Sequence, residues 1–262
     1  MTKTIQKPVN ACALAEEIEP HAIASWPARE TRLRDGWLLR FTNGFTHRGN
    51  SVATLHFVGT DLREAIETVE REYRRRALRP MFQIASSVAP SDLATSLLAR
   101  GYQVVAPTFV LIGTPTRICD RLPETPGVRT EHEPDEGFVS LVLEGSRSHD
   151  DGRERIEILS RQNLVASGRT CVTVETDGKI VACGTGTLTG EHVGINMMRT
   201  RPEYRRQGYA RCVLKAIAQW AAEQGAKRLY LSVEMENAPA VALYRSAGFE
   251  PGYAYRYYRK SS

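Results

Sequence analysis

The sequence predicts an α/β protein (mixed α+β sheets) in two similar halves, each a mixed, mostly antiparallel sheet flanked by helices. Three observations carry this. Apolar runs of strand length follow amphipathic runs of helical period along most of the 262 residues. The stretch from Met81 to Gly101 (20 residues) has a counterpart from Leu229 to Gly248 (19 residues). Each runs from a buried strand through a helix to a glycine, then an aromatic residue, Tyr102 or Phe249. Such self-similarity marks a diverged internal repeat. The length suits two domains of ordinary size, divided as 1–115, a linker at 116–126, and 127–262.

Taken in order, residues 1–10 read as a loose tail and 11–19 as a short helix that Pro20 stops. Residues 36–42 and 45–57 read as strands joined at Asn43-Gly44, a pair that tolerates positive φ. Asp61 reads as the cap of a helix reaching Leu78, with Leu62, Ala65, Ile66, Val69 and Tyr73 at helical spacing. A buried strand at 81–85 follows, then a helix capped by Ser91 and ended by Gly101, then a strand at 102–112 interrupted at Pro107. Pro115, Pro123 and Pro126 mark the linker.

The second half opens with a strand at 128–131 and helices at 135–144 and 153–163. Strands at 170–175 and 179–187 form a hairpin around Asp177-Gly178, and a strand at 192–200 follows. A helix at 211–223 presents Val213, Leu214, Ile217, Trp220 and Ala221 on one face. A strand at 228–233, a helix at 238–247 and a strand at 249–258 complete the chain. Gly184 to Gly190 looks glycine-rich but joins strand to strand, so it reads as a strand end and turn and not a nucleotide fingerprint.

A formal net charge of +5 suits an anionic ligand, and no long Lys/Arg block calls for nucleic acid. The densest run, Arg74-Arg75-Arg76, reads as a solvated helix face. Five cysteines, at 12, 119, 171, 183 and 212, have no metal-ligand spacing. A reduced, cytoplasmic setting without a bound metal is the expectation. No run is long enough to span a membrane, and the first ten residues lack a signal-peptide core.

The chemistry concentrates at Arg205-Arg206-Gln207-Gly208-Tyr209-Ala210. This hexapeptide follows a strand and opens a helix. Small Gly208 and Ala210 let backbone approach a ligand, and the first N–H groups of a helix attract anions. Arg199, Arg201, Arg205, Arg206 and Arg211 crowd the same place. A pyrophosphate would suit it; a solvated arginine-rich turn is the alternative.

The pattern Arg205-x-x-Gly208-x-Ala210, followed by Asn237-x-x-Ala240-x-x-Leu243-Tyr244-x-x-x-Gly248-Phe249, resembles the two characteristic segments of the GNAT acyltransferase superfamily. The resemblance covers about residues 126–260. It implies a sheet splayed around an acyl-CoA, and with the internal repeat both halves read as GNAT-like. It implies direct acetyl transfer from acetyl-CoA, as cosubstrate, to a primary amine of a small molecule or peptide. It places the cofactor on Met198, Arg199, Thr200, Arg205, Arg206, Gln207, Gly208, Tyr209, Ala210, Arg211, Asn237 and Tyr244. Tyr244 would be the general acid. Gly194 stands where many members carry a glutamate, so Glu234, Asn196 or His192 would have to serve the amine through water. The first half lacks the loop, and Asp61 at its helix start would repel a phosphate, so only the second half is expected to bind acyl-CoA.

Acidic residues Glu131, Glu133, Asp135, Glu136, Asp150, Asp151 and Glu154 would favour a cationic amine, or simply form a solvated loop. Arg40, Arg48, Asn50 and Ser51 could instead meet an acceptor carboxylate. A non-catalytic acyl-CoA sensor is the alternative function, and a homodimer stays open.

Overall fold

A computed structural model describes residues 10–85, 89–123, 127–162, 166 and 168–261. The expected tail at 1–9, linker residues 124–126 and the end of the expected helix at Asn163 lie outside the described residues.

Helix α1 (Ala11–Ala24) is capped by Asn10, whose side chain accepts from the N–H groups of Cys12 and Ala13. It does not stop at Pro20 but runs through it. Pro20 lies on the exposed side, while Leu14, Ala15, Ile18 and Ala22 bury against a cluster that includes Tyr253 and Tyr255. That burial offsets the roughly 3 kcal/mol a mid-helix proline costs.

The first hairpin also differs from expectation. It joins β1 (Glu30–Arg34) to β2 (Trp37–Phe41) through Asp35-Gly36. Both turn residues have positive φ, +48° and +82°, as a type I′ turn requires. Residues 45–57 are not one strand. They hold a 3-10 turn (Arg48–Asn50) and the two-residue β3 (Val52–Ala53). The reason is long-range: the N–H groups of Asn43, Phe45 and Thr46 donate to the Glu154 carboxylate instead of to a strand.

Helix α2 (Leu62–Arg74) starts at its Asp61 cap, and β4 (Met81–Ala85) is wholly buried. Helix α3 (Leu93–Ala99) begins at Asp92 without a side-chain cap, so Ser91 does not serve as expected. Strand β5 (Tyr102–Gly113) is continuous through Pro107; Ala106 takes φ +46° there and the pairing slips. Within the expected linker, α4 (Pro115–Arg121) is helical and capped by Thr114.

The second half follows the reading closely. Its elements are β6 (Val128–Glu131), α5 (Glu136–Glu144), α6 (His149–Gln162), β7 (Gly168–Thr176), β8 (Lys179–Thr189) and β9 (His192–Thr200). They continue with α7 (Tyr209–Glu223), β10 (Arg228–Glu234), α8 (Ala238–Ser246) and β11 (Glu250–Lys260). Val213, Leu214, Ile217 and Ala221 of α7 bury against Val172, Val181 and Leu231 of the sheet.

The eleven strands among the described residues form one sheet, ordered β1-β2-β3-β4-β11-β5-β10-β9-β8-β7-β6. In each half two strands run parallel, β3 with β4 and β9 with β10. The last strand of each half then crosses over: β5 pairs with β10, and β11 pairs with β4. Strands β5 and β11 also pair with each other at the centre. The internal repeat is therefore an approximate two-fold relation in which the halves exchange their final strands.

Candidate active site

The site begins where the sheet parts. Strands β9 and β10 pair only from His192–Arg228 to Ile195–Leu231, yet β9 runs on to Thr200 and β10 to Glu234. A bulge drives β9 away. Its register with β8 slips between Thr185–Asn196 and Cys183–Arg199, and Met197 takes φ +54°. Gly184 makes room on β8, since a Cβ there would lie 2.5 Å from Met198 Sδ and 2.8 Å from Val213 Cγ1. Bulges of this kind re-aim side chains next to sites.

The parting opens a cleft of about 410 Å³. Met198, Arg199, Glu234, Asn237 and Tyr244, all expected at the site, line it. So does Asn196, the first β9 residue past the paired segment. Tyr244 is buried on α8, edge-on to Phe249 at 6.1 Å. Burial pushes its phenol up to about 12, with Arg199 pulling the other way. Asn237 caps α8, its Oδ1 accepting from Ala240 N at 3.2 Å.

Thr200 ends β9, and Arg205–Arg211 form the loop and first turn beyond it, outside the lining of this cleft. Arg206 has φ +64° and Gly208 φ +91°, and open space surrounds the position a Cβ would take at Gly208. Gly208 gives α7 no side-chain cap, so the orphan donors of its first turn are left for water or a ligand. Arg211 Nη2 ties this turn to α8 through Ser246 Oγ at 2.8 Å.

The opposite wall comes from the first half and from β11, and was largely invisible in the sequence. His47 and Arg48 line the cleft with Trp26, Tyr255 and Tyr257. Their loop is fastened by Glu154 of α6, which is 1% exposed. Its carboxylate accepts from the N–H groups of Asn43, Phe45 and Thr46, the Thr46 hydroxyl and Asn50 Nδ2. Arg48 Nη1 reaches across to Asn196 Oδ1 at 3.0 Å, and the guanidinium lies 5.0 Å from the Trp26 ring centroid. His47 packs on Tyr257 at 5.2 Å. Burial, with Arg147 and Arg259 nearby, pushes His47 down to about 4, so its imidazole is neutral at physiological pH.

Several expectations are corrected here. Asp151 does line the cleft but is 2% exposed and bound by Arg155 at 3.0 Å and Arg147 at 3.3 Å. Burial raises its pKa, yet these arginines hold it below the ordinary value. Asp135 caps α5 and Glu133 pairs with Arg169. These carboxylates are occupied within the fold and do not form an open cationic-amine site. Arg40 is buried on Ser51 and Gln83, and Asn50 is held by Glu154, so of the four residues read around that hairpin only Arg48 lines the cleft. His192 pairs with Glu17 at 2.8 Å and stacks on His21 outside the cleft lining. At Gly194 a Cβ would lie 2.6 Å from Tyr230 Oη and 2.9 Å from Ser25 Oγ. The place of the family's glutamate is filled by other side chains. Cys171 and Cys183 are free thiols in the hairpin, both pushed up to about 12, by burial first.

Comparison with known proteins agrees with this geometry. The family described as "Probable histone acetyltransferase Rv0428c C-terminal" matches residues 15–258. The uncharacterized N-acetyltransferase YobR of Bacillus subtilis is 29% identical over 242 residues, spanning 90% of this chain and 94% of YobR. A GCN5-related N-acetyltransferase from Kribbella flavida has the same fold, with a TM-score of 0.69 at 17% identity over 98% of this chain and 97% of that one. A tandem GNAT protein from the clavulanic acid biosynthesis pathway aligns with a TM-score of 0.63 at 13% identity, covering 95% and 92%. The match to the Rv0428c C-terminal family over nearly the whole chain, on this splayed tandem sheet, means that the protein belongs to that family and is an acetyltransferase of the GNAT superfamily.

Proposed function

We propose that the chain moves the acetyl group of acetyl-CoA directly to a primary amine of a small molecule or peptide, within a ternary complex. The observation that carries this is the parting of β9 and β10 beyond Ile195 and Leu231, with Tyr244 lining the opening. Acetyl-CoA supplies the acetyl group as an activated thioester. The residues present suit it: the open backbone at Gly208 and the uncapped first turn of α7 favour an anion. Arg205, Arg206, Gln207, Tyr209, Ala210 and Arg211 surround that turn. Met198, Arg199, Thr200 and Asn237 would flank the arm leading into the cleft.

Transfer joins the amine nitrogen to the acetyl carbon and breaks the bond from that carbon to sulfur. One proton leaves the amine and one reaches the sulfur, with no change of oxidation state. N–H groups of β9 beyond Ile195, freed from β10, would stabilise charge growing on the carbonyl oxygen. The Tyr244 phenol, pushed up to about 12, stays protonated and donates toward the sulfur. Since a thiol has a pKa near 8.5, this group acts mainly as a hydrogen-bond donor. Glu234 is exposed at the cleft edge and would take the amine proton through water; neutral His47 is another acceptor in the lining. An α-amine with pKa near 8 needs little help. Residues 127–262 would thus carry catalysis, and 1–115 would supply the acceptor wall.

Free-thiol release from acetyl-CoA across a panel of primary amines tests the reading. Amine-dependent release supports it. Tight acetyl-CoA binding without release from any amine would instead favour an acyl-CoA sensor.

A further inference from the structure

Four guanidinium groups line the cleft, from Arg48, Arg147, Arg155 and Arg199, against two carboxylates, from Asp151 and Glu234. Asp151 is engaged by Arg147 and Arg155. Arg48 and Arg199 have no carboxylate within ion-pair distance among the described residues. The two differ in the reach of the edge they leave free: Arg199 Nε is buried with no partner among the described residues, whereas Arg48 Nε is not buried. Arg199 belongs to β9 and donates through Nη1 to the Met198 carbonyl. Arg48 comes from the first half, where Glu154 fixes its loop, and it spends only Nη1, on Asn196. Its Nε and Nη2 carry no hydrogen bond among the described residues. That edge of a guanidinium is the one that grips a carboxylate through two parallel hydrogen bonds. Trp26 backs the group at 5.0 Å, which holds its plane and limits its hydration.

We propose that Arg48 is the seat for a carboxylate on the acceptor, so that the amine acetylated belongs to an amino-acid-like molecule. This rests on the acetyl-transfer reading above and names its substrate class. The placement suits the reaction. Asn196, to which Arg48 is bonded, is where β9 leaves β10, so a carboxylate on Arg48 brings an amine one or two bonds away to the parting of the strands. A polycationic amine would meet an excess of positive charge instead.

The test compares kcat/KM, by thiol release from acetyl-CoA, for α-amino acids, the carboxamide of each, and spermidine. The free acids are expected to exceed their carboxamides by about tenfold or more, as loss of a bidentate ionic hydrogen bond implies. Arg48→Gln should bring that ratio near one, and Arg48→Lys should restore part of it. Wild-type enzyme that takes carboxamides or spermidine as well as free acids would overturn the proposal, as would a ratio that survives Arg48→Gln. Calorimetric binding of a free amino acid and its carboxamide to wild type and Arg48→Gln decides the matter without turnover. Arg48-dependent preference for the acid with no thiol release would keep the carboxylate seat and sink acetyl transfer. Equal binding of acid and carboxamide would sink the seat.

Discussion

Arg48 Nη1 donates to Asn196 Oδ1 at 3.0 Å, joining a loop of the first half to the strand that opens the cleft in the second. The contact exists because Glu154 collects the backbone of residues 43–46 into a fixed turn. One buried carboxylate on α6 thus positions a side chain across the cleft.

Glu154→Gln leaves some of its donors facing an amide N–H₂. Unfolding free energy is expected to fall by about 2–4 kcal/mol, the range for breaking a buried charged network. A denaturant midpoint lowered at unchanged slope would show it. An unchanged midpoint would mean the loop is held by other contacts.

Restoring the family's glutamate should fail. In Gly194→Glu the new side chain meets Tyr230 Oη at 2.6 Å and Ser25 Oγ at 2.9 Å from its Cβ alone. The expected result is a loss of about 2–4 kcal/mol from overpacking and a buried charge, with no gain in turnover. Faster turnover in a stable variant would show that the site lacks only this base.

Tyr244→Phe removes the donor while keeping the ring against Phe249. Turnover is expected to drop roughly 100-fold, with little change in acetyl-CoA affinity. Equal loss of affinity, measured by calorimetry, would reassign Tyr244 to binding.

Arg206→Glu reverses charge beside the uncapped start of α7. Acetyl-CoA binding should weaken by roughly tenfold at low salt, and less at high salt as the interaction is screened. An affinity that does not move would remove the loop from the cofactor site.

His47 sets an acid limit on stability. Its pKa, about 4 in the fold, lies below the ordinary 6.5, by burial first and then by Arg147 and Arg259. Between these values the unfolded chain binds a proton that the folded one does not. Stability is therefore kept above pH 6.5 and lost as pH falls toward 4. Unfolding free energies across that range should slope in wild type and flatten in His47→Gln. Parallel slopes would show that other groups carry the loss.

The second half was legible because its signals are local. Asp177-Gly178 is a turn pair, and α7 shows its buried face in the spacing of Val213, Leu214 and Ile217. The repeat was legible at Gly101 and Gly248, both at positive φ as helix ends require. Asn43-Gly44 misled because a turn pair says nothing about a carboxylate over a hundred residues away. Pro20 misled because its cost is local, while the burial that offsets it is not. The acidic run misled because sequence cannot tell a free carboxylate from one already bound.

By itself, then, the sequence determined the family, the loop at Arg205–Ala210, the placement of Tyr244 on its helix, and the existence of two related halves. All of these rest on contacts between residues close in the chain. Only the tertiary structure decided that β5 and β11 change places, that β9 leaves β10 after Ile195, and that His47 and Arg48 face Tyr244's cleft. Those depend on hydrogen bonds and charges between distant segments, whose partners no local pattern of residues specifies.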